Sequence, residues 1–213
     1  MSIIIRIYKI GLLITTTQLL LSSGCNKNST SCMSSATTYN FNISSEWFPQ
    51  AERYSVGDTI FLNSSFQKML TDQINPAIIV DYSNSTGVGG NIFMYELDSI
   101  NHQILAKASE FETIPFVGSV QPISANPEKG KDFYFDEQQM YLFKVGFKLK
   151  KKGIYLLYVS NCGSAGLRGK NCTKAGFAMS VTNSDKHYSL YQYALQQQPD
   201  EIQRKVMYCF RVQ

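Results

Sequence analysis

Two histidines, five cysteines and sixteen acidic side chains are the groups in this chain with chemistry to offer. A thiol–imidazole pair would need a free thiolate beside His102 or His187. Cysteines of an exported chain are oxidised, so each histidine reads as a surface residue. Zinc fails on spacing, because no Cys-x-x-Cys occurs and only two histidines are present. Glu96, Asp98, Glu110, Glu112, Asp136 and Glu137 are acids that a fold could pair for glycoside hydrolysis, a pairing set in space rather than in sequence. The plainer reading makes them solvated loop acids. Gly163, Gly166, Gly169 and Lys170 resemble a phosphate-binding loop, but Ser164 holds the first required glycine position and Asn171 stands where Ser or Thr would bind magnesium. Gly87-x-Gly89 ends on Ile92 instead of a third glycine, so no dinucleotide fingerprint exists. Neither Gly-x-Ser-x-Gly nor His-Glu-x-x-His is found, and no Asp-x-Asp-x-Asp-Gly run offers a calcium loop. Trp47 is the single tryptophan. Its ring suits stacking on a sugar face as a ligand platform, or packing over one end of a β-sandwich. The expectation is no catalytic residue, no metal and no cofactor.

The N-terminus reads as an address. Residues 1–9 carry Arg6 and Lys9 with no acid, and residues 10–21 are an apolar run broken by three threonines and Gln18. A membrane span needs about 20 apolar residues, so this run fits the first two regions of a secretory signal peptide. Leu21-Ser22-Ser23-Gly24-Cys25 resembles a bacterial lipobox. It departs from the usual pattern in having Ser22, not leucine, three residues before the cysteine. The resemblance implies cleavage after Gly24, a diacylglycerol thioether on Cys25 and an acylated amine. Acyl chains then hold the protein to a membrane without a span, at about 0.8 kcal/mol per buried CH₂. An ordinary leader with Cys25 a plain thiol, and an uncleaved anchor, are the alternatives. Asn26 replaces the Asp that retains enteric lipoproteins in the inner membrane.

Lipidation of Cys25 would leave four cysteines in an oxidising compartment, with three pairings open. Cys162 with Cys172 is the simplest local staple, and Cys32 with Cys209 would then tie the N-terminal tether to the last strand. The chain-entropy model gives roughly 2–3 kcal/mol for the short loop and roughly 5 for the long one. Removing residues 1–24 lowers Lys+Arg from 20 to 18 while the acids stay at 16, leaving +2. That balance points to no nucleic-acid partner.

Any site must be held by strands. Hydrophobic residues make up 44% of the chain and charged residues only 17%, which allows a core and excludes disorder. Residues 26–36 are Ser/Asn/Thr-rich and read as a flexible tether. Tyr39, Phe41 and Ile43 alternate; residues 54–62 bend at Gly57-Asp58; residues 76–82 form a continuous apolar run suited to a strand buried on both faces. Residues 91–97 alternate, and Ile104-Leu105 begin a short strand. Tyr141, Phe143, Val145, Phe147 and Leu149 face one way, then Lys150-Lys151-Lys152-Gly153 reads as the solvated tip of a β-hairpin. Residues 176–181 and 206–212 read as strands, and 185–205 as one helical stretch capped by Ser184 or Asp185 and broken at Pro199. Residues 111–138 read as an insertion loop. The fold class is mainly β: a single antiparallel β-sandwich, immunoglobulin-like, with one late helix before the last strand. Residues 1–24 are the leader, 25–36 the lipidated cysteine and tether, and 37–213 the sandwich domain.

Trp47-Phe48-Pro49 ahead of Tyr54-Ser55-Val56-Gly57-Asp58-Thr59-Ile60, and Lys152-Gly153-Ile154-Tyr155 ahead of an apolar strand, resemble the sandwich domain of uncharacterised Bacteroidota outer-membrane lipoproteins. The resemblance implies an outer-membrane lipid anchor and no activity. It also implies that Asp-Ser/Thr-aliphatic tripeptides receive O-linked sugars, at Thr59 or, nearer a turn, at Ser99. The expected role is a non-enzymatic binding or interaction module of the cell envelope, accessory to an outer-membrane assembly. Its partners are the membrane through the lipid on Cys25 and an unknown protein or glycan. The alternative is a carbohydrate-binding or glycan-processing surface lipoprotein.

Overall fold

The computed structural model describes residues 37–83, 85, 87–122, 128–135, 138–164, 173–182 and 187–213. Residues 1–24, Cys25, Cys32, Cys172, Asp136, Glu137, Ser184 and Asp185 lie outside them, so the expected leader, the expected lipidation and one half of each expected cysteine pair do too.

The described strands are β1 (Thr37–Phe48), β2 (Arg53–Tyr54), β3 (Thr59–Gln67), β4 (Met69–Thr71), β5 (Ile79–Asp81), β6 (Val88–Asp98), β7 (Gln103–Ala106), β8 (Phe111–Val117), β9 (Ser119–Pro122), β10 (Glu128–Asp132), β11 (Tyr134–Phe135), β12 (Met140–Leu149), β13 (Gly153–Val159), β14 (Cys162–Ser164), β15 (Thr173–Thr182) and β16 (Met207–Val212). Helices α1 (Tyr188–Leu195) and α2 (Glu201–Val206) precede the last strand. A front layer runs β11–β12–β3–β1–β15, with β8 also on β12. A back layer runs β14–β6–β13–β16–β2, with β7 and β10 on the other side of β6. The β14–β15 pairing joins the layers along one side, so the sandwich is one sheet folded over.

Period-two alternation builds the core. Phe41, Ile43 and Trp47 of β1, Ile60 and Leu62 of β3, and Phe143, Val145 and Phe147 of β12 point inward from the front layer. Ile92 and Met94 of β6, Tyr155 and Leu157 of β13, and Tyr208 and Phe210 of β16 meet them from the back. The back layer is covered on its outer face as well. Leu97, Ile154, Leu156, Met207 and Cys209 pack against Leu190, Tyr191, Ala194 and Leu195 of α1. That double burial explains why residues 154–159 and 207–212 read as nearly unbroken apolar runs.

Several expectations are corrected. The sheet is not purely antiparallel: β1 runs parallel to β15 from Thr37↔Thr173 to Glu46↔Thr182, and β16 parallel to β2. The late helical stretch is two helices. His187, in the left-handed region at φ 69°, precedes α1 with no side-chain cap, while Asp200 starts α2 with a reciprocal capping box to Gln203. Residues 140–159 are not a hairpin. β12 pairs with β3, β8 and β11, whereas β13 pairs with β6 and β16, so the lysine segment is an arch from one layer to the other. The arch is pinned: Lys150 N–H donates to Glu110 O at 3.0 Å, and Lys151 Nζ lies 2.9 Å from Glu110 Oε1. The 111–138 segment supplies β8 to β11 instead of an insertion loop. The apolar run at 76–82 yields only β5, paired to β4. Val80 and Tyr82 are buried there, while Ile78 and Ile79 are exposed.

Candidate functional site

The outward positions of the front layer form a concavity of about 470 Å³. Its floor is a row of directly paired residues across five strands. Thr182 of β15 faces Glu46 of β1, Glu46 faces Asn63 of β3, Asn63 faces Lys144 of β12, and Lys144 faces Val117 of β8. Ser44, Ser65 and Leu142 line the same trough. The period of two that sends Trp47, Leu62 and Val145 inward sends these residues outward. Two strand spacings put the Glu46 and Lys144 backbones about 10 Å apart.

One end of the trough is aromatic. Gly146 of β12 faces outward, and a Cβ there would fall 3.2 Å from Phe61 and 3.3 Å from Phe116. With no side chain at 146, those two rings lie close over the sheet, 5.6 Å apart. Lys144 Nζ sits 5.5 Å from the Phe61 centroid and 5.6 Å from that of Phe116, a cation held by two ring faces. Phe48, opposite Phe61, is 60% exposed, and Phe116 is 55% exposed. The polar side chains are unevenly satisfied. Thr182 Oγ1 donates to Ser45 O at 3.1 Å, and Ser64 Oγ, just beneath the trough, donates to Ser44 O at 2.8 Å. Asn63 Oδ1 is buried with no hydrogen-bond partner.

A second cleft of about 300 Å³ lies on the back layer beside the helices, lined by Phe93, Tyr95, Tyr158, Tyr191, Gln203 and Met207. It is an apolar seam of the helix-covered cluster.

Trp47 is withdrawn from any ligand. It is 1% exposed, stacked on Tyr208 at 5.6 Å and tilted against Phe147 at 5.9 Å, so the platform reading gives way to the core reading. Its Nε1 is buried without a partner. Tyr208 also belongs to a hydroxyl cluster: its oxygen lies 2.8 Å from that of Tyr54 and donates to Ala51 O at 2.9 Å. Burial raises the pKa of both phenols, Tyr54 the more.

The described acidic candidates each have a partner within the fold. Glu96 pairs with Lys107 at 3.7 Å, Glu110 with Lys151 at 2.9 Å and Glu112 with Lys148 at 3.9 Å. Asp98 accepts from Ile100 N, Asn101 N and Asn101 Nδ2, which close the β6–β7 turn and hold its carboxyl below the usual range. Ser99 sits half-buried in that turn, and Thr59 is half-buried where β3 begins, its methyl close to Gly146. His102 Nδ1 lies 2.8 Å from Ala194 O and tethers the turn to α1. Cys162 is buried in the core, and Cys209 is a buried thiol beneath α1, its pKa pushed up by desolvation.

Sequence reasoning passed over Glu46, Asn63 and Lys144 because it followed the inward half of each alternation. Two signals were available. Asparagine is depleted in strand interiors, and Gly146 interrupts an otherwise bulky strand.

No family model and no curated protein matches the chain. Among solved structures, the human F-spondin reeler domain aligns with a TM-score of 0.34 at 8% identity, over 86% of this chain and 99% of that one. AvmM, which catalyses macrocyclization in alchivemycin A biosynthesis, gives 0.37 at 8% identity, over 81% and 89%. A type II cohesin domain from the cellulosome of Acetivibrio cellulolyticus gives 0.28 at 14% identity, over 55% and 74%. At these values none of them bears on what this chain binds.

Proposed function

We propose that this protein is a non-enzymatic binding module of the cell envelope, lipid-anchored through Cys25, with the front trough as its ligand face. One observation carries the reading: Thr182, Glu46, Asn63, Lys144 and Val117 form an unbroken outward row across five paired strands, flanked by two exposed phenylalanines. Groups on paired strands are held in fixed register, and such preorganisation favours binding. The volume, about 470 Å³, falls within the range of about 300–1,000 Å³ typical of ligand sites. The described acids Glu96, Glu110 and Glu112 each engage a lysine, which supports binding over carboxylate catalysis. The lipobox resemblance and the tether support delivery to the outer membrane.

The test retains envelope components on immobilised full-length protein and on its Glu46→Ala/Lys144→Ala variant. Both side chains are exposed, so folding is unaffected. A component held by the native chain and lost from the variant is the expected result; identical retention by both would remove the trough as the ligand face. Labelling cells with an alkyne fatty acid tests the anchor, and Cys25→Ser protein should take up no label.

A further inference from the structure

We infer that the ligand of the front trough is a saccharide, bound through hydroxyl contacts to Glu46, Asn63 and Lys144 and through a ring face on Phe116 and Phe48. The inference rests on the reading of the trough as the ligand face. The three middle strands of the floor are each paired on both sides: β1 lies between β15 and β3, β3 between β1 and β12, and β12 between β3 and β8. Their N–H and C=O groups are spent in the ladders, so an extended peptide has no edge to extend over Glu46, Asn63 and Lys144; β8, at the end of the row, is the strand that pairs on one side only among the described residues. Recognition over the middle strands is by side chains.

Those side chains mix donors and acceptors along one row. Glu46 accepts only, Lys144 donates only, and the Ser44 and Ser65 hydroxyls and the Asn63 amide do both. A saccharide hydroxyl also donates and accepts, so consecutive hydroxyls on one ring can satisfy such a row. Asn63 Oδ1 sharpens the match. It is a buried acceptor with no partner at the centre of the row, and a ligand hydroxyl that reached it would satisfy it. A protein hot spot would instead place an aromatic or aliphatic pocket at the centre. Here the apolar surface stands at one end, where Phe48 and Phe116 are exposed and would carry the C–H side of a pyranose ring.

The experiment presents full-length protein in detergent to an array of neutral hexose and N-acetylhexosamine oligosaccharides, then measures affinity for the best binder. Native protein is expected to bind. Asn63→Val should lose roughly three- to tenfold in affinity, the worth of one hydrogen bond. It should melt no lower than native protein, because it removes an unpaired buried atom and places a good strand former in β3. Phe116→Ala should weaken binding, while Ile104→Ala on the back layer should not. Ser65→Tyr fills the trough from an exposed position without touching the core, and should abolish binding with folding intact. No oligosaccharide bound by native protein, with an envelope protein still lost from the Glu46→Ala/Lys144→Ala variant, would overturn the saccharide and leave the trough. Oligosaccharide binding indifferent to Asn63→Val, Phe116→Ala and Ser65→Tyr would overturn both.

Discussion

Replacing Trp47 with alanine is the obvious test of a sugar platform, and it would mislead. The ring is 1% exposed, with Tyr208 stacked at 5.6 Å and Phe147 at 5.9 Å. Truncating a buried tryptophan costs about 3–5 kcal/mol. The indole N–H is already unpaired, so removing it returns about 1 kcal/mol. The net loss is therefore about 2–4 kcal/mol, and a protein of this size loses about 2–4 °C in Tm per kcal/mol. Trp47→Ala should melt about 5–15 °C below native protein in far-UV circular dichroism. Trp47→Phe keeps an aromatic ring between Phe147 and Tyr208 and discards the unpaired donor, so its loss should be less than half as large. A Trp47→Ala protein melting within about 2 °C of native would refute the burial and return the ring to the surface.

Burial raises the pKa values of Tyr54, Tyr82, Tyr141, Tyr155, Tyr191 and Tyr208, with Tyr155 pushed up to about 12. A folded-state pKa above the unfolded value of about 10 stabilises the native state below pH 10, and that contribution is lost as pH rises from 10 towards 12. Absorbance at 295 nm should show these phenols ionising late, together with unfolding; reversible ionisation of every tyrosine near pH 10 with the fold intact would contradict their burial. Lys151→Ala strands Glu110, whose side chain is only 10% exposed, but the lysine itself is 68% exposed, so the loss is held to about 1 kcal/mol. Lys152→Ala, an exposed neighbour, should cost nothing in urea unfolding, and equal effects at the two positions would refute the arch contact. Asp200→Ala removes the capping box of α2 and should cost about 1 kcal/mol in the same assay, where no change would show that α2 does not depend on its cap.

The layers were legible wherever one face alone is buried. Tyr141 to Leu149 alternate, and the structure sends every second residue inward; Gly57, at φ +96°, marks the bend read at Gly57-Asp58. Pairing was not legible. Lys150-Lys151-Lys152-Gly153 looks like a hairpin tip because a short polar loop between apolar strands has the same local pattern whether the chain turns back in one sheet or crosses to the other. Only the partners of β12 and β13 decide, and they come from residues 59–67 and 92–96. The parallel β1–β15 pair joins segments more than a hundred residues apart, beyond any local signal. Residues 76–82 read as a buried strand by composition, yet only Val80 and Tyr82 reach the core. The trough escaped notice for a related reason. Glu46, Asn63 and Lys144 are ordinary outward residues singly, and become a row only when β1, β3 and β12 are set side by side.

A photo-crosslinking amino acid at Ser65 in the trough, compared with one at Gln103 on β7, probes the ligand face in living cells. Both positions are exposed, and they lie on opposite layers. A defined adduct is expected from Ser65, lost when Glu46→Ala and Lys144→Ala are added, and none from Gln103. An adduct from Gln103 alone, or one from Ser65 that survives those substitutions, would contradict the trough as the ligand face.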